Sequence, residues 1–224
     1  EAETTDGWKK IVEQDRQTLL DGAFNTHASL APNNVNTMKD MVDARLDIAY
    51  KNSQLRLGYQ GRSNVGSSVG YAEALDPSSR GASHRYNLDY TYTLKELAPD
   101  LDVDSRVSYY SNTQEITKNI ALFPAGAFGG AYPNGFIGNP GYKEENARLD
   151  FSALYRGTDN HLVRVGTGFY WDDVFEVTES KNFNADFSPR ANGLEDVSDT
   201  AEIWLPEKQR TNYYLFVQDE WKLA

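Results

Sequence analysis

The sequence contains no cysteine, which excludes disulfide bridges and zinc–thiolate sites. It also has no run of about 18 apolar residues, so it offers no candidate transmembrane helix. Basic residues are in the minority, 22 against 33 acidic ones, and the formal net charge of -11 argues against nucleic acid as a partner. The first ten residues lack the basic and apolar segments of a signal peptide. We expect either that such a segment has been removed or that the chain is an internal piece of a longer protein.

Motifs that carry catalytic chemistry are missing as well. The sequence has no G-x-S-x-G, no Walker loop and no dinucleotide-binding fingerprint, and its three histidines are isolated from one another. The D-x-D-x-D stretch from Asp100 to Asp104 lacks the glycine and the glutamate that an EF-hand loop needs. Carboxylates are plentiful enough for an enzyme such as a glycoside hydrolase, but no pair stands out. We therefore predict a protein that is not an enzyme and that has no metal site and no cofactor.

Aromatic residues, in contrast, are frequent for so polar a chain, with 14 Tyr, 10 Phe and 4 Trp. One segment near the N-terminus, from Asp6 to Phe24, places apolar residues at roughly helical spacing, and Asp6 is a suitable N-cap. The pattern predicts a short amphipathic helix that packs on the rest of the chain, and the alternative is a helix that binds a partner.

From Val42 onward the hydrophobic period changes to two. In VDARLDIAYK, Val42 to Lys51, the apolar residues point to one face and Asp43, Arg45 and Asp47 to the other. The same alternation recurs along the chain. The predicted strands, of about ten residues each, are longer than those of most soluble sheets. The seven predicted strands lie near 42–51, 54–61, 85–94, 101–110, 147–156, 161–171 and 210–222.

The connections between these strands alternate in length, so all the long ones would leave from one end of the sheet. Long structureless loops are uncommon in compact domains unless they are functional. The predicted short connections are 52–53, 95–100 and 157–160, and the predicted long ones are 62–84, 111–146 and 172–209.

Two structures compete to explain this pattern. A soluble sandwich would bury the apolar faces against a second sheet, and its loops would not need to sort by length. An outer-membrane barrel would turn the apolar faces to lipid and the charged faces to a wet lumen, with aromatic residues near the strand ends. The barrel accounts for more features, because charges of both signs on the second face suit a lumen that neutralises itself. The aromatic residues near predicted strand ends are Tyr50, Tyr59, Tyr109, Tyr155, Trp171, Tyr213 and Trp221.

We therefore predict an all-β fold, an antiparallel up-and-down meander that is a segment of a large transmembrane β-barrel with long external loops and one short N-terminal helix. Residues 1–41 would form a helix-containing external loop region, and residues 42–224 a partial β-barrel. Single-chain bacterial barrels have an even number of strands, and open sheet edges cannot sit in lipid. Seven strands therefore suggest that the chain is a segment.

Several segments resemble TonB-dependent outer-membrane receptors. The most specific is NYYLFVQDEWKL, whose YxLFxQDEW-type strand, Tyr213 to Trp221, recurs widely in that family. The likeness extends from about Glu13 to Ala224. The other similar segments are LRLGYQGRSNVGSSVGYAEALDPSSRGASHRYNLDYTY, SYYSNTQEI, LFPAGAFGGAYPNGFIGNPGY, VTESKNF and, as an external loop, EQDRQTLLDGAFNTHASLAPNNVNT.

The resemblance implies part of a barrel of about 22 strands around an N-terminal plug, in the outer membrane of a Gram-negative bacterium. Such receptors take up a scarce ligand, such as a siderophore, cobalamin or a glycan, using the proton-motive force relayed by TonB. The implied partners are outer-membrane lipid, the plug domain and remaining barrel strands of the parent chain, the TonB system acting through the plug, and a small-molecule or glycan ligand. The chain departs from the family in lacking a recognisable plug, a TonB box and a C-terminal strand ending in an aromatic residue. Such a chain would be part of a transporter and would not transport alone.

Ligand contact is predicted for aromatic residues of the long loops, since an exposed ring can stack on a sugar or an aromatic chelator. The same rings could equally pack the loops on each other. The alternative function is a soluble β-sheet binding or adhesion domain with long recognition loops. The predicted ligand-binding residues are Phe128, Tyr132, Phe136, Tyr142 and Trp204.

Overall fold

The computed structural model describes residues 11–221 and consists mostly of antiparallel β-sheet, which confirms the all-β class. Seven long strands form one sheet in which each pairs with the next long strand along the chain. The elements are β1 Ile11–Val12, α1 Arg16–Phe24, β2 Asn33–Asn34, β3 Asp40–Tyr50, β4 Ser53–Val65, β5 Arg80–Ala98, β6 Leu101–Lys118, β7 Ala121–Phe123, β8 Phe136–Thr158, β9 His161–Lys181, β10 Glu195–Asp196 and β11 Lys208–Trp221.

The long strands follow one another as β3, β4, β5, β6, β8, β9 and β11, so β3 and β11 are the two edges. The short strands add to this meander: β7 pairs with β8, β10 pairs with β9, and β1 pairs with β2 apart from the main sheet. Within residues 11–221 no second sheet layer covers either face of the seven-stranded meander.

The connections sort by length as predicted. At one end, β3 joins β4, β5 joins β6 and β8 joins β9 through two residues each. At the other end the loops are 66–79, 119–135 and 182–207, and the segment with α1 enters β3 from there too. We call these the short-turn end and the long-loop end.

Four strands extend much further toward the long-loop end than the alternation predicted. The predicted strand at 101–110 continues to Lys118, and the one at 147–156 begins at Phe136. Similarly, β5 begins at Arg80 rather than near residue 85, and β9 continues to Lys181 rather than ending near residue 171. Polar and apolar residues no longer alternate regularly in these extensions, although the backbone ladder continues.

The helix is shorter than predicted and its buried face is a different one. Asp15 is the N-cap, its carboxylate accepting a 2.8 Å hydrogen bond from the Thr18 backbone N–H, while Thr18 Oγ1 accepts from Asp15 N at 3.2 Å in a capping box. The predicted cap Asp6 lies outside the described residues. Gln17 and Asp21 are the buried residues of α1, whereas Leu19 is 71% exposed. No helix within residues 11–221 is long and apolar enough to cross a membrane.

The strand register aligns side chains of like polarity across the whole sheet. Leu46 of β3 pairs with Leu57 of β4, which pairs with Leu88 of β5, and the next position along pairs Asp47 with Arg56 and then Asp89. In the part of the sheet toward the short-turn end, one face is therefore apolar from β3 to β11, and the other is polar and charged. We call them the apolar face and the polar face.

The buried core lies at the long-loop end, not against the apolar face. The hydrophobic residues with the least exposure come from the loops and from the strand extensions. On the apolar face, large side chains such as Leu46, Ile48 and Val217 are 48%, 50% and 69% exposed. The buried hydrophobic residues are Ala74, Leu75, Ala82, Ile120, Ala127, Tyr132, Phe136, Val177 and Val197.

Candidate functional site

The polar face carries paired charges that neutralise each other. Arg56 on β4 contacts Asp47 on β3 at 3.3 Å, and Arg106 on β6 donates to Asp89 on β5 at 2.6 Å. The remaining pairs of this face are Asp43–Arg45 at 3.0 Å, Asp102–Arg156 at 2.5 Å, Arg148–Asp150 at 2.5 Å and Asp172–Arg210 at 2.7 Å.

A shallow hollow of about 470 Å³ lies over the middle of this face. Its lining includes Arg56, Asp89, Arg106, Tyr110, Arg148 and Tyr170. The Arg148 guanidinium lies over the Tyr170 ring, 4.6 Å from its centroid, which orients both side chains. The hollow is thus lined by charges of both signs, three arginines and two aspartates, together with aromatic rings.

Two carboxylates fix the loops at the long-loop end. Asp15 accepts hydrogen bonds from Ser29 Oγ at 2.7 Å and from the Leu75 backbone N–H at 2.8 Å, which ties α1 to loop 66–79. Asp76, 1% exposed, accepts from the Ala121 N–H at 3.0 Å and so ties that loop to β7. The loops therefore form a connected layer rather than separate excursions.

Asp21 holds the turn after α1. Its carboxylate accepts from Gln17 Nε2 at 2.9 Å, Thr26 Oγ1 at 2.7 Å and the Ser29 backbone N–H at 2.7 Å. Burial alone would raise the pKa of Asp21, but the hydrogen bonds from Ser29, Thr26 and Gln17 lower it to about 2.

Three of the five predicted ligand-binding residues pack together in this layer. The Tyr132 and Phe136 rings are edge-to-face with centroids 4.8 Å apart, and the Phe128 ring lies 5.6 Å from that of Phe136. Phe183, from the loop after β9, stacks on Phe136 at 4.0 Å. Tyr132 and Phe136 are each 3% exposed. These rings hold loops 119–135 and 182–207 against each other; ligand contact by them stays a prediction.

The other two, Tyr142 and Trp204, meet on the polar face. Their ring centroids are 6.0 Å apart, and Trp204 is 46% exposed. Trp204 reaches this position because its backbone N–H donates to Glu179 Oε2 at 2.7 Å, which folds loop 182–207 over the inner side of β9.

Further polar residues surround this pair, and they were missed by sequence reasoning. Arg85, Asn112 and Glu144 occupy one row across β5, β6 and β8. Glu144 Oε1 accepts from Tyr110 Oη at 3.2 Å and from Asn112 Nδ2 at 3.3 Å. The Arg85 guanidinium lies 5.7 Å from the Tyr110 ring centroid. We call Arg85, Tyr110, Asn112, Tyr142, Glu144 and Trp204 the inner cluster.

The electrostatics of the inner cluster agree with this geometry. Burial raises the pKa of the Tyr142 hydroxyl, and the nearby charge of Glu144 raises it further. Tyr142 is therefore a neutral donor and acceptor at physiological pH. Continued strand alternation past residue 110 and before residue 147 would have placed Asn112, Glu144 and Tyr142 on one face, but no apolar partners marked the strands there.

Within residues 11–221 no group of three or more His, Asp or Glu side chains is arranged to hold a metal ion. Comparisons with known proteins add no identity: the chain matches no protein-family model, no curated protein and no solved structure.

Proposed function

We propose that the chain is part of the transmembrane β-barrel of a TonB-dependent outer-membrane receptor that takes up a scarce ligand, with its apolar face toward lipid and its polar face toward a water-filled lumen. The sequence resemblance supports the family. The feature of the sheet that carries the proposal is the oblique course of its apolar residues, which we call the apolar band.

The apolar band crosses the strands at an angle. On β3 it runs from Val42 to Tyr50, and on β11 from Tyr213 to Trp221. Through successive strand pairs, Tyr50 is in register with Leu215, six residues before Trp221. The band thus descends about one residue per strand toward the short-turn end.

The angle between the apolar band and the direction across the strands is similar to the strand tilt of a membrane barrel. Six residues correspond to about 20 Å along a strand, and six strand spacings to about 29 Å across the sheet. The ratio gives an angle of about 35°, within the 35–45° range of outer-membrane barrels. Nine residues tilted by that angle rise about 22 Å, close to the apolar height of about 25 Å in such barrels.

Aromatic side chains bound the band on the long-loop side. We call Tyr59, Tyr86, Tyr109, Trp171 and Tyr213 the outer aromatic row. The next residues of the same face beyond this row are polar or glycine, as expected where a strand leaves hydrocarbon for water. These residues are Gly61, His84, Ser111, Glu145, Asp173 and Thr211.

The polar residues within the band have hydrogen-bond partners, as lipid would require. Ser105 Oγ donates to the Tyr92 carbonyl at 3.4 Å, and Thr167 Oγ1 to the Tyr214 carbonyl at 2.9 Å. Asp219 contacts His161 at 2.7 Å.

The two sheet edges support further strands as partners. β3 and β11 both run from the long-loop end to the short-turn end, so they cannot pair antiparallel with each other. An antiparallel barrel that contains this sheet needs an odd number of additional strands between them. We propose that the remaining barrel strands of a parent chain supply these, and that its plug contacts the polar face and couples to TonB.

Depth measurements in lipid vesicles test the proposal. Because the chain has no cysteine, single cysteines at Leu46, Thr211, Val217 and Gln218 can carry a fluorophore without background. Quenching by spin labels on lipid tails should be strong at Leu46 and Val217 and weak at Gln218, which is on the polar face.

Thr211 is the decisive control because it is in register with Leu46. A tilted sheet places Thr211 outside the hydrocarbon, whereas an untilted one places it at the depth of Leu46. Absence of quenching at every position, with a monodisperse chain in plain buffer, would instead support a soluble β-sheet binding or adhesion domain.

A further inference from the structure

The inner cluster lies just beyond the outer aromatic row, on the side of the sheet that faces away from the apolar band. Arg85 lies on β5 between His84 and Tyr86, whose side chains point to the opposite face. Asn112 and Glu144 are in register with Arg85 on the two following strands. Loop 182–207 folds over these residues and contributes Trp204. The cluster is therefore at the mouth of the proposed lumen, where an incoming solute would arrive.

The carboxylate of Glu144 already accepts hydrogen bonds from two side chains of the cluster. Tyr110 and Asn112 both donate to Oε1, which holds that oxygen in place. A carboxylate held in this way is suited to accept hydrogen bonds from neighbouring hydroxyl groups of a ligand, since charge-assisted hydrogen bonds are short and directional.

The aromatic part of the cluster offers ring faces beside that carboxylate. The planes of Tyr142 and Trp204 are inclined at 60°, so they form two walls of a corner rather than a closed stack. Trp204 keeps 46% of its surface exposed. An amphipathic ring with C–H groups on its face and hydroxyls on its edge can pack on such walls and reach the carboxylate at the same time.

The charges of the cluster favour a neutral ligand. Glu144 disfavours a second anion, and Arg85, which lies over the Tyr110 ring, disfavours a second cation at that ring. We propose that the inner cluster is a binding site for a neutral carbohydrate, with the sugar ring packed on Tyr142 and Trp204 and its hydroxyls donating to Glu144. The proposal rests on the proposed function in one respect, that the polar face is open to water.

Calorimetric titration of the vesicle- or micelle-inserted chain with maltotriose, xylotriose and triacetylchitotriose, which are all neutral, tests this site. At least one of these sugars should bind, and Glu144→Gln and Tyr142→Ala should each weaken its binding about ten-fold, the loss expected for one charge-assisted hydrogen bond or one ring contact. The matched control is Glu145→Gln, which changes the neighbouring carboxylate on the apolar face and should leave binding unchanged.

Three results would overturn the proposal. They are absence of binding by all three sugars, equal binding by the unchanged chain and the Glu144→Gln and Tyr142→Ala variants, and tighter binding of choline than of any sugar. If Tyr142→Ala fails to fold, Trp204→Ala, which removes the exposed ring of the same corner, and Glu144→Gln still decide the matter. Depth labels that insert while no sugar binds would contradict this site and leave the membrane proposal standing.

Discussion

Gly168 of β9 lies under the phenol ring of its cross-strand partner Tyr214 on β11. A Cβ at Gly168 would come within 2.3 Å of Tyr214 Cε1, so only glycine leaves room for the ring. From that position the Tyr214 hydroxyl donates to Asp150 on β8, which links the edge strand to a strand two places away. Gly166 accommodates the Phe216 ring in the same way. Two glycines therefore let two aromatic residues cover the polar face near the edge.

Gly168→Ala should displace Tyr214 and loosen β11. We expect a loss of about 1–2 kcal/mol in the free energy of unfolding, typical of overpacking, measured by urea titration of the inserted chain. Gly81→Ala is the control. A Cβ at Gly81 would lie 3.4 Å from its nearest atom, and the backbone of Gly81 does not have a positive φ. Equal losses in both variants would show that the glycine–tyrosine contact does not stabilise the edge strand.

Asp21 should make the loop layer sensitive to acid. Its folded-state pKa of about 2 is below the ordinary value of 3.8, so its contribution to stability is present above pH 4 and is lost as the pH falls toward 2. The shift sets an upper limit of about 2 kcal/mol on this contribution, because solvent screens part of the interaction. Asp21→Asn should therefore destabilise the chain at pH 6 and much less near pH 2, where about half of the folded molecules carry a protonated Asp21.

Unfolding free energies of the two proteins at both pH values measure this difference. Asp159→Asn, in the exposed two-residue turn between β8 and β9, serves as the control for a general change in net charge. A gap between Asp21→Asn and the unchanged chain that persists at low pH would assign its effect to something other than ionised Asp21.

The sequence predicts the meander because the long strands alternate apolar and polar residues in their parts near the short-turn end. Alternation from Val42 to Tyr50 and from Tyr213 to Trp221 therefore determines both strand and face. That signal ends beyond the outer aromatic row, where polar residues and glycine replace the apolar residues. Asn112 and Glu144 there belong to strands only because the backbone ladder continues, so their position beside the predicted residues Tyr142 and Trp204 was not predictable.

The N-terminal helix shows a different limit. Its apolar spacing predicted a helix that packs on the chain through apolar residues, yet Leu19 is exposed and Gln17 and Asp21 take the inner face. The reason is that the surroundings of α1 offer hydrogen-bond donors, such as the Ser29 backbone N–H, rather than an apolar surface. The partners of a polar side chain come from distant segments, and local periodicity carries no information about them.

The aromatic packing of the loop layer should contribute strongly to stability. Phe136→Ala removes a ring that is 3% exposed and contacts Phe183 at 4.0 Å, so we expect a cost of about 3 kcal/mol. Phe187, 69% exposed, is the matched control, and Phe187→Ala should cost much less. Proteolysis of loops 119–135 and 182–207 provides a second readout, since both loops should become cleavable in Phe136→Ala alone.

Charge placed on the two faces of β8 should have opposite consequences. Phe151 lies near the middle of the apolar band, whereas its neighbour Ser152 points to the polar face. In lipid, Phe151→Arg should cost about 2–4 kcal/mol, the range for arginine at the midplane of a barrel, and Ser152→Arg should cost much less. Unfolding from vesicles by urea measures both.

The same pair measured in lipids of different chain length adds a second test: the cost of Phe151→Arg should grow with bilayer thickness while that of Ser152→Arg stays constant. Costs that are similar for both variants and independent of lipid would mean that water reaches both faces of the sheet, which contradicts the membrane proposal.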